Sequence, residues 1–189
     1  MTGTIGSGKS HISKLFSFFG YRLFDADKTV HELFHEDNVL KEISKISPAS
    51  VKNGQVDRKI LGDHVFADEK KLKKLEALLH PLVDERRKNF VKLCGRLGLP
   101  CVFEIPLYFE AGLHYPETVV VVTSAPSFLL VERSLRRPGM TVEKLEQVQA
   151  QQWPDVLKRK KADFVVHTGL SKGYSWVQVE NIVKALEKR

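Results

Sequence analysis

The sequence predicts an α/β fold: a parallel sheet covered by helices, with a phosphate-binding loop near its start and a helical insertion between two of its strands. Three observations lead there. Residues Gly3-Thr4-Ile5-Gly6-Ser7-Gly8-Lys9-Ser10 fit the pattern G-x-x-x-x-G-K-[ST], in which small residues let backbone N–H groups wrap phosphate oxygens. Pro100 to Ile105 and Thr118 to Thr123 are apolar runs of the kind that strands buried on both faces require, which implies a parallel sheet between helices. From about Asp27 to Gly95 the apolar residues recur at helical spacing, far more chain than a simple crossover needs.

Taken in order, Ile12, Leu15, Phe16 and Phe19 fall at i, i+3, i+4 and i+7, so a helix begins near Lys9 with its positive end toward the loop. Gly20 stops it, and Tyr21 to Phe24 reads as a short strand ending in Asp25-Ala26-Asp27. Val30, Leu33 and Phe34 continue as a helix, and Val39, Leu40, Ile43 and Ile46 mark another, followed by a polar loop around Pro48 to Gly54. Asp57 can cap a helix holding Ile60, Leu61, Val65 and Phe66, and Asp68 the next, with Leu72, Leu75, Leu78 and Leu79 inward. His80-Pro81 is expected to break that run, because the residue before a proline is driven from helical geometry, with a further helix from Val83 to about Leu93. Beyond the two apolar strands, a helix after Pro126 bears Arg133, Arg136 and Arg137, and Thr141 caps one running to about Trp153. The basic run Lys158 to Lys161 precedes a strand at Phe164 to Val166, and a closing helix turns Trp176, Val179, Ile182, Val183 and Leu186 inward.

A length of 189 residues, 42% hydrophobic and 28% charged, suits one globular domain with an insertion. No apolar run approaches bilayer length and the N-terminus lacks a signal-peptide layout, so a cytoplasmic location is expected. Cys94 and Cys101 have no metal-like spacing with histidines and are expected as buried free thiols. The net charge of +7 and pI near 9.4 permit a polyanionic partner. No helix-turn-helix, zinc module or aromatic RNA-binding strand accompanies that charge, which favours a polyphosphorylated small molecule over nucleic acid. Neither a nucleic-acid nor a membrane partner is expected, and the oligomeric state is left open, a monomer being sufficient.

The phosphate loop, the strand-end aspartates, the insertion and the arginine-rich excursion together describe a small kinase of the P-loop class. Further residues narrow it. Asp25-Ala26-Asp27, His80-Pro81-Leu82-Val83, E-I-P-L-Y-F-E at Glu104 to Glu110, Gly139-Met140-Thr141 and K-R-K-K-A-D at Lys158 to Asp163 resemble, in order over nearly the whole chain, the dephospho-coenzyme A kinases. The resemblance implies ATP-dependent phosphorylation of the ribose 3′-hydroxyl of dephospho-coenzyme A, the last step of coenzyme A synthesis, with ATP and Mg²⁺. It implies a five-stranded parallel core in residues 1–27 and 96–189, a lid at about 126–160 and a helical acceptor-binding insertion at 28–95. Gly3, Thr4, Ile5, Gly6, Ser7, Gly8, Lys9 and Ser10 would hold the nucleotide phosphates, with Lys9 at the β/γ-phosphates and the Ser10 hydroxyl on Mg²⁺. Asp27 matches the family's catalytic base beside the acceptor, and His80 and Pro81 match the acceptor domain. Arg133, Arg137 and Arg159 match lid positions near the phosphates, Arg137 as a catalytic cation.

The chemistry agrees with those roles. A ribose hydroxyl is a poor nucleophile, and a carboxylate in hydrogen-bond reach can orient it and accept its proton as the bond to phosphorus forms. Asp27 is expected to do this, although Asp25 or Asp27 could instead cap the helix that follows. Glu104 could hold a magnesium-bound water or face polar backbone, and the lysine run could be a solvated helix face. Three positions depart from the family pattern: Thr4 replaces a usual glycine, Tyr108 a leucine, and His167-Thr168 a frequent Asp-Asn. Only Met1 and Thr2 precede Gly3, where such a fold supplies about five apolar residues, so the first strand is expected to be truncated and the native start to lie several residues earlier. Two other functions remain open: a different small-metabolite or nucleotide kinase on the same scaffold, and a non-catalytic basic module that binds nucleic acid in a salt-sensitive way.

Overall fold

A computed structural model describes residues 1–188. In chain order its elements are β1 (Thr2–Gly3), α1 (Lys9–Phe18), β2 (Arg22–Asp25), α2 (Ala26–Leu33), α3 (Asp37–Ile46), β3 (Val51–Lys52), β4 (Gln55–Val56), α4 (Arg58–Phe66) and α5 (Glu69–Leu97). There follow β5 (Cys101–Glu104), β6 (Val121–Ser124), α6 (Ser127–Leu135), α7 (Val142–Ala150), α8 (Asp155–Lys160), β7 (Phe164–His167) and α9 (Lys172–Leu186). The chain forms two compact units, Met1–Phe24 with the residues from Gly98 onward, and Asp25–Leu97.

In the first unit, β1, β6 and β7 make a parallel sheet in that order, with Thr2 beside Val122 and Val122 beside Val165. β2 and β5 pair separately. Met1 reaches β5: its amino group donates to the Phe103 carbonyl (2.6 Å), and its carbonyl accepts from the Ile105 N–H (3.0 Å). The arrangement is thus three strands plus two, and β1 spans two residues. Every residue of β6 is buried, as an apolar strand covered on both faces must be. Ile12 and Phe16 from α1 pack with Val179, Ile182 and Val183 from α9 around Val102, Val121 and Val166. That packing fixes α1 against the sheet and so aims the β1–α1 loop at the carboxyl ends of the strands, where open α/β sheets bind ligands.

The second unit is built on Leu33, Val39, Ile43, Leu61, Val65, Leu75 and Leu79, the apolar stripes of α2 to α5. Here two expectations are corrected. His80-Pro81 does not break the chain's helical run; α5 continues through it from Glu69 to Leu97 with Pro81 inside. A proline in a helix interior costs about 3 kcal/mol through one lost hydrogen bond and a clash. Burial of Leu75 and Leu79 before it and Cys94 after it offsets that cost. The polar loop around Pro48 to Gly54 instead contains the antiparallel hairpin β3–β4, with Val51 facing Val56. Asn53 and Gly54 both take positive φ (51° and 72°), as a two-residue turn between right-twisted strands demands. In the first unit most of the basic run lies on a short helix of its own, α8, and α7 stops at Ala150 instead of reaching Trp153.

Candidate active site

The phosphate loop is held open as a ring of backbone by contacts from distant segments. Gly6 (φ 78°) lies so close to α6 that a Cβ there would stand 2.4 Å from the Leu130 carbonyl, so no side chain fits. Gly8 (φ 86°) takes the left-handed geometry from which α1 starts, and the first amides of α1 have no acceptor within the helix and face an anion favourably. Ser7 is pinned twice: its hydroxyl meets Thr123 Oγ1 at 2.7 Å, and its carbonyl accepts from Thr168 Oγ1 at 2.8 Å. Thr4 needs no glycine, since among the described residues the non-glycine positions with positive φ are Asn53 and Glu117. Lys9 folds back over the loop, its Nζ donating to the carbonyls of Gly3 (2.9 Å) and Thr4 (3.1 Å).

Glu104, at the end of β5, is buried and accepts from two hydroxyls of α1: Ser10 Oγ on one carboxylate oxygen (3.1 Å) and Ser13 Oγ on the other (2.5 Å). Ser13 itself is fully buried. A hydroxyl and a carboxylate side by side at the mouth of the loop form a hard oxygen pair of the kind Mg²⁺ accepts alongside phosphate oxygens and water. Arg133 of α6 donates to Thr168 Oγ1 (3.0 Å) and to its carbonyl (2.8 Å). Thr168 therefore joins Ser7 of the loop to the Arg133 guanidinium. Burial and the nearby cations Lys172, Lys14 and Arg133 push the His11 imidazole below its usual range.

Lys9, Ser10 and Arg133 are thus gathered around one loop. Arg137, which follows α6, and Arg159, on α8, are exposed. Lys158 is not part of a solvated basic run: it is fully buried, with its ammonium 2.8 Å from Glu110 Oε1 and 3.2 Å from the Pro106 carbonyl. In the second unit, Asp25 caps α2 by accepting from the Lys28 N–H (3.0 Å), and Asp27 is an exposed acid in the first turn of that helix. His80 and Pro81 are exposed on α5.

This geometry can be set beside known proteins. The sequence model for dephospho-CoA kinase (CoaE) matches residues 1–172. The chain belongs to the dephospho-CoA kinase family. A dephospho-CoA kinase of Bartonella quintana is 36% identical over 189 residues, covering all of this chain and 97% of that protein. One of Nitrobacter winogradskyi is 40% identical over 190 residues, covering all of this chain and 94% of its own. Among solved structures, TT1252 from Thermus thermophilus superposes with a TM-score of 0.83 at 32% identity, over 97% of this chain and 94% of that one. The dephospho-CoA kinase of Campylobacter jejuni gives 0.72 at 26%, over 99% and 95%. The fold is accordingly the α/β fold of the P-loop kinases.

For a dephospho-CoA kinase family member, the site contains more than the motifs announce. Glu104 can be seen in the sequence as a strand-end acid, but its pairing with Ser10 and Ser13 joins residues 94 and 91 positions away. Gln152 donates nothing recognisable to a motif, yet its side-chain carbonyl accepts the Ile5 N–H at 2.8 Å. Thr168 stands out in the sequence only as a departure from the family pattern, and in the structure it links the loop to Arg133. No helix among the described residues is long and apolar enough to cross a membrane.

Proposed function

We propose that this chain transfers the γ-phosphoryl group of ATP to the ribose 3′-hydroxyl of dephospho-coenzyme A, giving coenzyme A and ADP. The observation that carries the reading is the pinned phosphate loop with the Ser10–Glu104 oxygen pair at the start of α1, in a member of this family. The loop amides and Lys9 bind the β- and γ-phosphates, for which Lys9 leaves the Gly3 and Thr4 carbonyls it now satisfies. Ser10, with Glu104 beside it, would hold Mg²⁺, which would supply positive charge to neutralise the phosphates. Asp27 orients the 3′-hydroxyl and takes its proton as oxygen bonds to phosphorus and the bond to the bridging oxygen of ADP breaks. Asp25 is engaged as the cap of α2, accepting from the Lys28 N–H, and Asp27 follows it as an exposed acid in the first turn of that helix.

In this reading Asp25–Leu97 binds the acceptor, His80 and Pro81 included, and residues 126–160 form a lid that brings Arg137 and Arg159 to the transferred phosphoryl while Arg133 stays near the loop. The two bonds from Met1 to β5 support reading the strands as one five-stranded core in the order β2-β5-β1-β6-β7. The family's biosynthetic role favours a cytoplasmic enzyme. A coupled assay of ADP release, with and without dephospho-coenzyme A, tests the function. Release that depends on dephospho-coenzyme A and is absent with acceptors whose ribose 3′-position is blocked is the expected result. Release driven as well by an acceptor lacking that ribose means a different kinase, and none with any acceptor means a binding module.

A further inference from the structure

The contacts that pin the phosphate loop come from β6, from the turn after β7, and from Gln152, a residue within 126–160 to which the catalytic reading gives no role of its own. The Ile5 N–H, in the middle of the loop, donates to Gln152 Oε1 at 2.8 Å across 147 residues of sequence. Ile5 is buried, so its amide has little access to water as a substitute acceptor. Gln152 sits in the turn between α7 and α8, and that turn is itself anchored. Its own N–H donates to the Gln149 carbonyl (3.0 Å). One residue on, the Trp153 N–H donates to Glu110 Oε1 (2.6 Å) and the indole stacks on Phe109 at 5.7 Å and 11°. The same Glu110 oxygen receives the buried ammonium of Lys158. A chain of contacts therefore runs from Lys158 through Glu110 and the α7–α8 turn to the amide of Ile5.

We propose that Gln152 is a positioning residue for nucleotide binding: its neutral carbonyl holds the Ile5 amide and so keeps the loop in the shape that receives phosphate. The residue type suits the place. An amide side chain offers an acceptor without charge, whereas a carboxylate would put a negative charge beside a cradle for anions, and an aliphatic side chain would leave a buried donor without a partner. The contact also couples the α7–α8 turn to affinity for ATP, because movement of that turn releases the amide. This inference rests on the reading that ATP occupies the loop.

The test uses the full chain and three variants. Gln152→Met keeps the length and removes the acceptor; it is expected to speed hydrogen exchange at the Ile5 amide and to raise the KM and the dissociation constant for Mg·ATP about tenfold, the loss of one buried hydrogen bond, with kcat within about twofold. Gln152→Glu keeps an acceptor and is expected to restore slow exchange at Ile5 while ATP affinity stays below wild type. Lys9→Ala is the control on the reading itself: if it leaves Mg·ATP binding unchanged, ATP does not use this loop and the reading fails. If Lys9→Ala weakens Mg·ATP binding and Gln152→Met leaves its dissociation constant unchanged, the inference about Gln152 alone is overturned. Failure of Gln152→Glu to restore protection at Ile5 overturns it too, and remains readable even if Gln152→Met folds poorly.

Discussion

Lys158 offers the sharpest test of how the basic segment before β7 works. Its side chain is fully buried, and its ammonium meets Glu110 Oε1 at 2.8 Å while Glu110 keeps only 11% of its side-chain surface exposed. Removing one partner of such a pair leaves the other charge buried without compensation, which costs about 3–5 kcal/mol. For a chain of this size each kcal/mol moves the melting temperature by about 2–4 °C, so Lys158→Met should melt about 6–20 °C lower than the parent. Lys158→Met with Glu110→Gln removes the stranded charge and still leaves an acceptor for the Trp153 N–H, so it should recover more than half of that loss. Differential scanning calorimetry on the three proteins measures both numbers, and ADP release on the folded enzymes shows whether catalysis follows. A single variant within about 2 °C of the parent, or a double variant no more stable than the single, refutes the buried-pair argument. A loss of kcat without a loss of stability would show that Lys158 acts in catalysis and not as half of a buried pair.

Asp27→Asn should lower kcat by about a hundredfold or more with little change in the KM for ATP, because a general base acts in the transition state. Asp25→Asn is its control: asparagine caps a helix about as well as aspartate, so a larger kcat loss there would show that the wrong carboxylate was chosen. Arg137→Ala should depress kcat/KM more than Lys160→Ala, since a guanidinium grips phosphate oxygens bidentately and an exposed ammonium does not; equal effects would reduce the lid to a charged surface. His11 should titrate below its usual value near 6.5 in the free protein, because burial and Lys172, Lys14 and Arg133 all disfavour its cation. The folded chain then binds fewer protons than the unfolded one, so His11 costs stability as pH falls below about 6.5 and the loss levels off below its folded pKa. Bound ATP, an anion at the loop, should move the His11 midpoint upward in an NMR titration, and an unchanged midpoint would place the phosphates elsewhere.

What the sequence makes legible is what depends on near neighbours. The loop at residues 3–10, the start of α1 at Lys9 and the caps at Asp57, Asp68 and Thr141 rest on chemistry contained within a few residues, and each appears where the spacing puts it. Asn53-Gly54 carries a hairpin signal of the same local kind, two residues that accept positive φ, inside a stretch whose polarity otherwise marks a loop. Pro81 is a different case. Its local preference to end a helix is real, and the surrounding apolar contacts of α5 override it, an outcome that no window around residue 81 contains. Lys158 and Lys160 are alike in sequence, yet one is enclosed with Glu110 and the other exposed, and the acid that separates them lies 48 residues away.

The same distinction explains which parts of the site escaped. A phosphate loop is recognisable because glycine is irreplaceable where backbone turns left-handed or passes close to another backbone, and that need is written in residue type. The glycines that let it wrap an anion also leave it with many conformations to lose, at about 1–2 kcal/mol for each backbone position ordered. The contacts from Thr123, Thr168 and Gln152 offset part of that loss, and any side chain with a hydroxyl or carbonyl at the right distance serves. Such residues carry no pattern of their own; their function is set by the segment that faces them, and only the folded chain brings the two together.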